Sequence, residues 1–267
     1  MIPPKGYCDL RVEKINKDII NAYVALGYNM IAVNTTLDSF SLDSGVSNRK
    51  KRKKLENTDN DSTQQDCIPP IKPIENDSNL VILNRLTIKL ANPGQFQKLS
   101  SSKNFKSYDI MAVEPLNEQV CQEIITSQLV DIIVCNVKNG VISAKGYKVA
   151  VDKNIHFELC YGPMVNGYFM RQDTITLAHM LHMKGKSKNI IVSSGANVKT
   201  DIRNPHDIIN LGLLLGLSNK QSKDSVTENC HLVILKSYGR KLGKSAINVI
   251  PINDREQKTV QASKVKL

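Results

Sequence analysis

Short apolar runs and helical segments alternate along most of this chain, and that alternation constrains the fold more than any other feature. Tyr7–Val12 predicts a strand. Lys14–Leu26 predicts a helix, with Ile15, Ile19, Ala22 and Leu26 on one face and Gly27 at its end. Strand-like runs follow at Met30–Val33, Leu80–Leu90, Asp109–Val113, Ile132–Asn136, Lys148–Val151, His156–Tyr161 and Asn189–Ser193. Helices are predicted at Pro93–Ser102, Asn117–Ser127 and Tyr168–Met183. Two more finish the pattern. One opens at Pro205, where a missing N–H costs nothing, and one follows Ser218, which has capping-box spacing to Gln221. Ile132–Asn136 is apolar almost throughout, as suits a strand covered on both faces. Seven or eight strands alternating with helices imply a parallel sheet with right-handed crossovers, and favour a distorted (β/α) TIM-like barrel over an open sheet.

With 267 residues and 41% hydrophobic side chains, one such barrel can bury a full core. The barrel is expected over residues 1–252. Segment 41–79, rich in Lys, Asp, Asn and Ser, reads as a mobile insertion, and 253–267 as a polar, disordered tail. The formal charge is +11, which suggests a polyanionic partner. Six of those charges are contiguous, Arg49, Lys50, Lys51, Arg52, Lys53 and Lys54, so the rest of the chain carries only +5. Tryptophan is absent and aromatics are 5%, which argues against a base-stacking platform. None of the six cysteines forms a C-x-x-C pair, so reduced structural thiols are expected. The start, Met-Ile-Pro-Pro-Lys-Gly, lacks the apolar core of a signal peptide, and no apolar stretch approaches the ~20 residues that span a bilayer. The expectation is a soluble protein made in the cytosol, with no membrane partner.

One stretch carries a resemblance. Arg203-x-Pro205-x-Asp207-x-x-Asn210-Leu211-Gly212-Leu213-Leu214-x-Gly216-Leu217 resembles the thirty-kilodalton protein subunit family of eukaryotic ribonuclease P and ribonuclease MRP. Supporting motifs occur in order: Asp9-Leu10, Leu83-x-Arg85-Leu86-Thr87-Ile88, Tyr108-Asp109-Ile110-x-Ala112-Val113, Phe157-Glu158-Leu159-x-Tyr161, Met170-Arg171 and Ile190-Ile191-Val192-Ser193-Ser194. Segment 41–79 and the tail carry no match. The resemblance implies a barrel related to the polymerase-and-histidinol-phosphatase phosphoesterases. Those enzymes hold a metal cluster with Asp-Leu-His-x-His on the first strand and Thr-Asp-His after the second. Here the corresponding residues are Asp9-Leu10-Arg11-Val12-Glu13 and Asn34-Thr35-Thr36. The histidines are gone and Arg11 brings a fixed positive charge, so no catalytic residue, metal or cofactor is assigned.

Other chemistry finds little support. His179 and His182 share a helix face without a completing carboxylate, and His156, His206 and His231 are isolated. There is no Gly-rich phosphate loop and no Gly-x-Ser-x-Gly elbow. Gly195, after Ser193-Ser194, suits either an anion or a plain turn. The basic residues are the better lead. Arg85, Arg171, Lys184, Lys186, Lys188 and Arg203 are candidate RNA contacts. Against this, Arg203 can pair with Asp201 or Asp207, and Lys184, Lys186 and Lys188 can serve a helix C-terminus. Arg49–Lys54 is a candidate nuclear import signal. The resemblance implies a non-catalytic subunit of a particle whose RNA removes the 5′ leader of precursor tRNA. Its expected partners are the ribonuclease P/MRP RNA, a small α/β subunit, a second copy of the chain, and precursor tRNA through the holoenzyme. The expected location is nuclear and nucleolar. Two alternatives stand beside it: a divergent metal-dependent phosphoesterase on the same barrel, and a basic scaffold of another ribonucleoprotein.

Overall fold

The computed structural model describes residues 6–38, 68–71, 73–100, 102–139 and 142–243. The basic run Arg49–Lys54 and the tail 253–267 lie outside the described residues. Among the described residues, seven strands make one parallel sheet in sequence order: β1 (Tyr7–Val12), β2 (Tyr28–Leu37), β3 (Val81–Leu90), β4 (Ile110–Pro115), β5 (Ile132–Val134), β6 (His156–Cys160) and β7 (Ile190–Ser193). The ring closes just past the last strand, where Val12 bridges Ala196, Gly195 N–H donates to Arg11 O at 2.9 Å, and Glu13 N–H donates to Ala196 O at 2.9 Å. Gly195 has φ +61°, and a Cβ there would lie 2.6 Å from Cys160 Sγ, so the closing turn needs glycine. The barrel is therefore α/β and TIM-like, as the alternation predicts.

Helices cover the outside: α1 (Lys17–Ala25), α2 (Pro93–Ser100), α3 (Lys103–Ser107), α4 (Glu118–Ser127), α5 (Ala144–Asp152), α6 (Gly162–Asn166), α7 (Tyr168–Gly185), α8 (Pro205–Leu214), α9 (Asn219–Asp224) and α10 (Glu228–Leu242). Several begin at a side-chain cap. Asn16, Asn117 and Asn204 accept from Ile19, Val120 and His206 N–H at 2.8–2.9 Å, each such cap contributing about 1 kcal/mol. Lys148–Val151, counted among the strand-like runs, is helical and lies in α5. Ser143 caps that helix, and Tyr147 and Ala150 bury at helical spacing. That loss brings the strands to seven. Of segment 41–79, residues 68–71 and 73–79 are described; Ile68 is buried, and Pro69 O accepts from Tyr108 Oη at 3.1 Å. No described helix is long and apolar enough to cross a membrane.

Alternation along the strands builds two cores. One lies between sheet and helices. The other fills the barrel with Cys8, Leu10, Met30, Ala32, Leu83, Ile110, Ala112, Ile132, Val134 and Ile191. The N-terminal end of that interior is stoppered by α10, through Cys230, Val233 and Ile234. The capping signal at Ser218 predicts one helix; the structure breaks it into α9 and α10 at a turn whose Val226 O accepts from Cys8 N–H at 2.9 Å. Cations on α10 fasten it. Lys236 Nζ donates to Val130 O at 2.8 Å, Arg240 donates to Asp131 Oδ2 at 3.0 Å, and Lys241 donates to Asp109 Oδ1 at 2.6 Å.

His156 is buried at this end, in register with Ile132. Burial, reinforced by the Lys236 charge, pushes its imidazole down to about 4 from an ordinary 6.5. A folded-state value below the unfolded one means the neutral ring is the native form. Its contribution is complete above 6.5 and is lost as pH falls from 6.5 towards 4. Urea titrations should therefore lose up to about 3 kcal/mol from this source across that window. His156→Leu should flatten the decline, and an unchanged slope in the variant would contradict the assignment.

Candidate functional site

The C-terminal mouth is where barrels of this class place their chemistry. A register shift between Asp9 and Val12 marks the end of β1, where Arg11 reaches the mouth. Arg11 Nε donates to Glu13 Oε1 at 2.7 Å, and Arg11 Nη1 to Glu158 Oε2 at 3.3 Å. Below it, Arg85 from β3 meets Glu158 from β6 with both terminal nitrogens, at 2.5 and 2.7 Å. Two further Arg85 donors reach Leu10 O at 2.9 Å and Thr87 Oγ1 at 3.0 Å. Thr87 Oγ1 donates to Asn34 Oδ1 at 2.6 Å, and Asn34 Nδ2 donates to Glu13 at 3.0–3.1 Å and to Thr36. Ser193 Oγ donates to Glu158 Oε1 at 2.7 Å. Strand periodicity accounts for the set, since Asn34 with Thr36, and Arg85 with Thr87, are two apart on the inward face.

Two arginines and two glutamates thus compensate one another inside the barrel. Burial alone would raise the Glu158 carboxyl; Arg85 outweighs it, helped by Arg11 and Ser193, and holds it at about 2. A depressed carboxyl stabilises the fold above its ordinary 4.5 and loses that contribution as pH falls through 2. The positions that hold histidines in the phosphoesterases carry a guanidinium and a carboxylate already spent on it. They do not fit a metal cluster. Among the described residues no group of three or more His, Cys, Asp or Glu side chains is placed to hold a metal ion.

Asp9 turns the other way. It accepts from Tyr23 Oη at 2.8 Å, Ser194 N–H at 3.1 Å and Arg11 N–H at 3.2 Å, stitching β1 to α1 and to the turn after β7. Burial raises its carboxyl despite the hydrogen bonds from Ser194 and Tyr23. The longest sequence motif is also structural. Tyr28 Oη donates to Arg203 O at 2.9 Å, and Arg203 N–H donates to Tyr161 Oη at 3.2 Å, pinning the backbone that opens α8. Gly212 lets α8 meet α9, since a Cβ there would lie 2.1 Å from Ser222 Oγ.

The six candidate RNA contacts do not come together. Arg85 is removed from the set: it is 0% exposed, and its Nε, Nη1 and Nη2 are all engaged inside the protein. Arg171, in the first turn of α7, and Arg203, before α8, are exposed at the C-terminal end, with Arg171 Nε donating to Met164 O at 3.1 Å. Lys184, Lys186 and Lys188 lie at the opposite end, where α7 turns into β7. His182 Nδ1 lies 3.1 Å from Ser187 Oγ, and His206 packs edge-on against Tyr7. Glu158 carries no site signal of its own in the sequence beyond the Phe157-Glu158-Leu159 motif. A lone carboxylate between Phe157 and Leu159 in a strand is the signal that a buried cation faces it.

Residues 6–242 match the family model for RNase P subunit p30. The chain belongs to the RNase P subunit p30 family. The mouse ribonuclease P protein subunit p30 is 31% identical over 245 residues, covering 89% of this chain and 86% of that protein. The Saccharomyces cerevisiae ribonuclease P/MRP protein subunit RPP1 is 23% identical over 171 residues, covering 63% and 57%. Among solved structures, a chain in a cryo-EM structure of archaeal ribonuclease P with mature tRNA shares the fold. Its TM-score is 0.62 at 16% identity, covering 92% of this chain and 99% of that one.

Removing one member of the buried pair should be far worse than removing both. Glu158→Ala leaves the Arg85 guanidinium buried without a carboxylate and should cost about 3–5 kcal/mol. Arg85→Met combined with Glu158→Leu should cost less than Glu158→Ala alone. Urea midpoints of wild type, Glu158→Ala, Arg85→Met, Glu158→Leu and the Arg85→Met, Glu158→Leu double variant measure this. Strict additivity would refute the coupling.

Proposed function

We propose that this chain is a non-catalytic protein subunit of the ribonuclease P ribonucleoprotein, shared with ribonuclease MRP. The family match over residues 6–242 carries the reading, and the relatives named as ribonuclease P and ribonuclease P/MRP subunits support it. The Arg11–Glu13 pair supports the non-catalytic part, because a fixed guanidinium occupies the place where this barrel class binds catalytic cations. The particle's RNA then performs the metal-assisted removal of the 5′ leader from precursor tRNA, and the protein braces the RNA by neutralising phosphates. Protein contacts, with a small α/β subunit and a second copy of the chain, suit the exposed apolar surface of Tyr168 and Phe169 at the start of α7, 72% and 78% exposed.

Affinity purification of the tagged chain, with sequencing of bound RNA and identification of bound proteins, tests this directly. One structured RNA, several small basic proteins and 5′-leader cleavage by the eluate are the expected result. Normal leader trimming after depletion of the chain, with no such RNA recovered, would overturn it. The proposed location is the nucleus and nucleolus, with Arg49–Lys54 as import signal. Replacing all six residues by Ser should move the protein towards the cytoplasm; unchanged nuclear signal would return that run to the status of a solvated segment.

A further inference from the structure

We propose that the N-terminal end of the barrel, opposite the mouth where such barrels do chemistry, carries the chain's contact with the RNA backbone, on a ridge of Lys186, Lys188, Lys220 and Lys223. The proposal rests on the reading of the chain as a ribonucleoprotein subunit and gives that reading a surface. Only two of the four belong to a run visible in the sequence. Lys220 and Lys223 are brought alongside by α9. Gln221 Nε2 donates to Lys186 O at 2.8 Å and to Ser187 O at 3.2 Å, while Gln221 Oε1 accepts from Ser218 N–H at 3.1 Å. One glutamine therefore caps its own helix and clamps the neighbouring turn.

That turn is built at a cost. Lys186, Ser187 and Asn189 all have left-handed backbones, with φ of 51°, 55° and 53°, although none is glycine. Side chains hold it in place: Tyr147 Oη donates to Lys188 O, and Asn189 Nδ2 donates to Ile155 O at 3.2 Å. Ser187 and Ser222 are buried between lysines that are exposed. The backbone is fixed and the ammonium groups are presented outward.

Charge balance separates the two ends. No Asp or Glu occurs between Asp173 and Asp201, and α9 adds only Asp224 to its two lysines. Among the described residues, none of the four lysines has a carboxylate within 4.0 Å. At the other end Arg11 and Arg85 pair with Glu13 and Glu158, and Asp201 and Asp207 lie close to Lys199 and Arg203 in the sequence. An uncompensated lysine ridge on a rigid turn suits phosphates, which need point charges and no base readout.

The test compares the wild-type chain with a variant carrying Lys186→Gln, Lys188→Gln, Lys220→Gln and Lys223→Gln, each binding the RNA that co-purifies with wild type over a series of KCl concentrations. The variant should bind more weakly. The slope of log affinity against log salt should shrink by about 3, from four lost phosphate contacts. Replacing the same residues with Arg should restore the slope, which a purely structural role would not do. If wild type recovers no structured RNA, the subunit reading itself fails. If wild type binds RNA and the Gln variant keeps its salt slope, the ridge proposal fails and the subunit reading stands. A Gln variant that keeps the slope but loses co-purifying proteins would make the ridge a protein contact, and would also overturn the proposal.

Discussion

The buried pairing of Arg85 with Glu158 governs the rest of this molecule. Two opposite charges sit fully out of water, and every nitrogen and oxygen at the ends of that pair has a hydrogen-bond partner inside the barrel. Arg11 and Glu13 extend the pair to the mouth, and Asn34 and Thr87 bridge it across β2 and β3. An isolated buried charge is costly, whereas a fully hydrogen-bonded set is tolerable and fixes one arrangement of strands. The same set fills the C-terminal mouth of the barrel.

Much of the fold was legible because barrel periodicity is written in alternating apolar runs. Seven of the eight strand-like runs are strands. Lys148–Val151 failed because Val149, Ala150 and Val151 favour a strand locally, while the Ser143 cap and the burial of Tyr147 and Ala150 decide for a helix. α10 went unseen as a separate helix because no local signal says that a helix lies across the end of a barrel. Arg11, Glu13 and Asn34 were placed at the ends of the first two strands by sequence alone, and they stand there in the structure.

The site itself was less legible. Arg85 looked like a contact for RNA because it is a cation within a family motif. Its partner lies 73 residues further on, and only closure of the barrel joins them. Lys220 and Lys223 were invisible for the complementary reason. They are ordinary helix-surface lysines until Gln221 ties α9 to the turn after α7. Sequence motifs in this chain report mostly on packing and capping, as at Gly212 and Asn204, and the surface chemistry follows from where those packings carry unremarked residues.

The stopper at the N-terminal end has a consequence for biogenesis. β1 meets α10 directly, through Cys8 and Cys230 in one apolar cluster, yet they bracket nearly all of the described chain. During synthesis every strand leaves the ribosome before the helix that seals them. A nascent barrel therefore holds Met30, Ala32, Ile132 and Ile191 open to solvent at one end until α10 emerges. This is a chain whose first strand waits for its last helix, which makes the interval between them a period when a chaperone has something to hold.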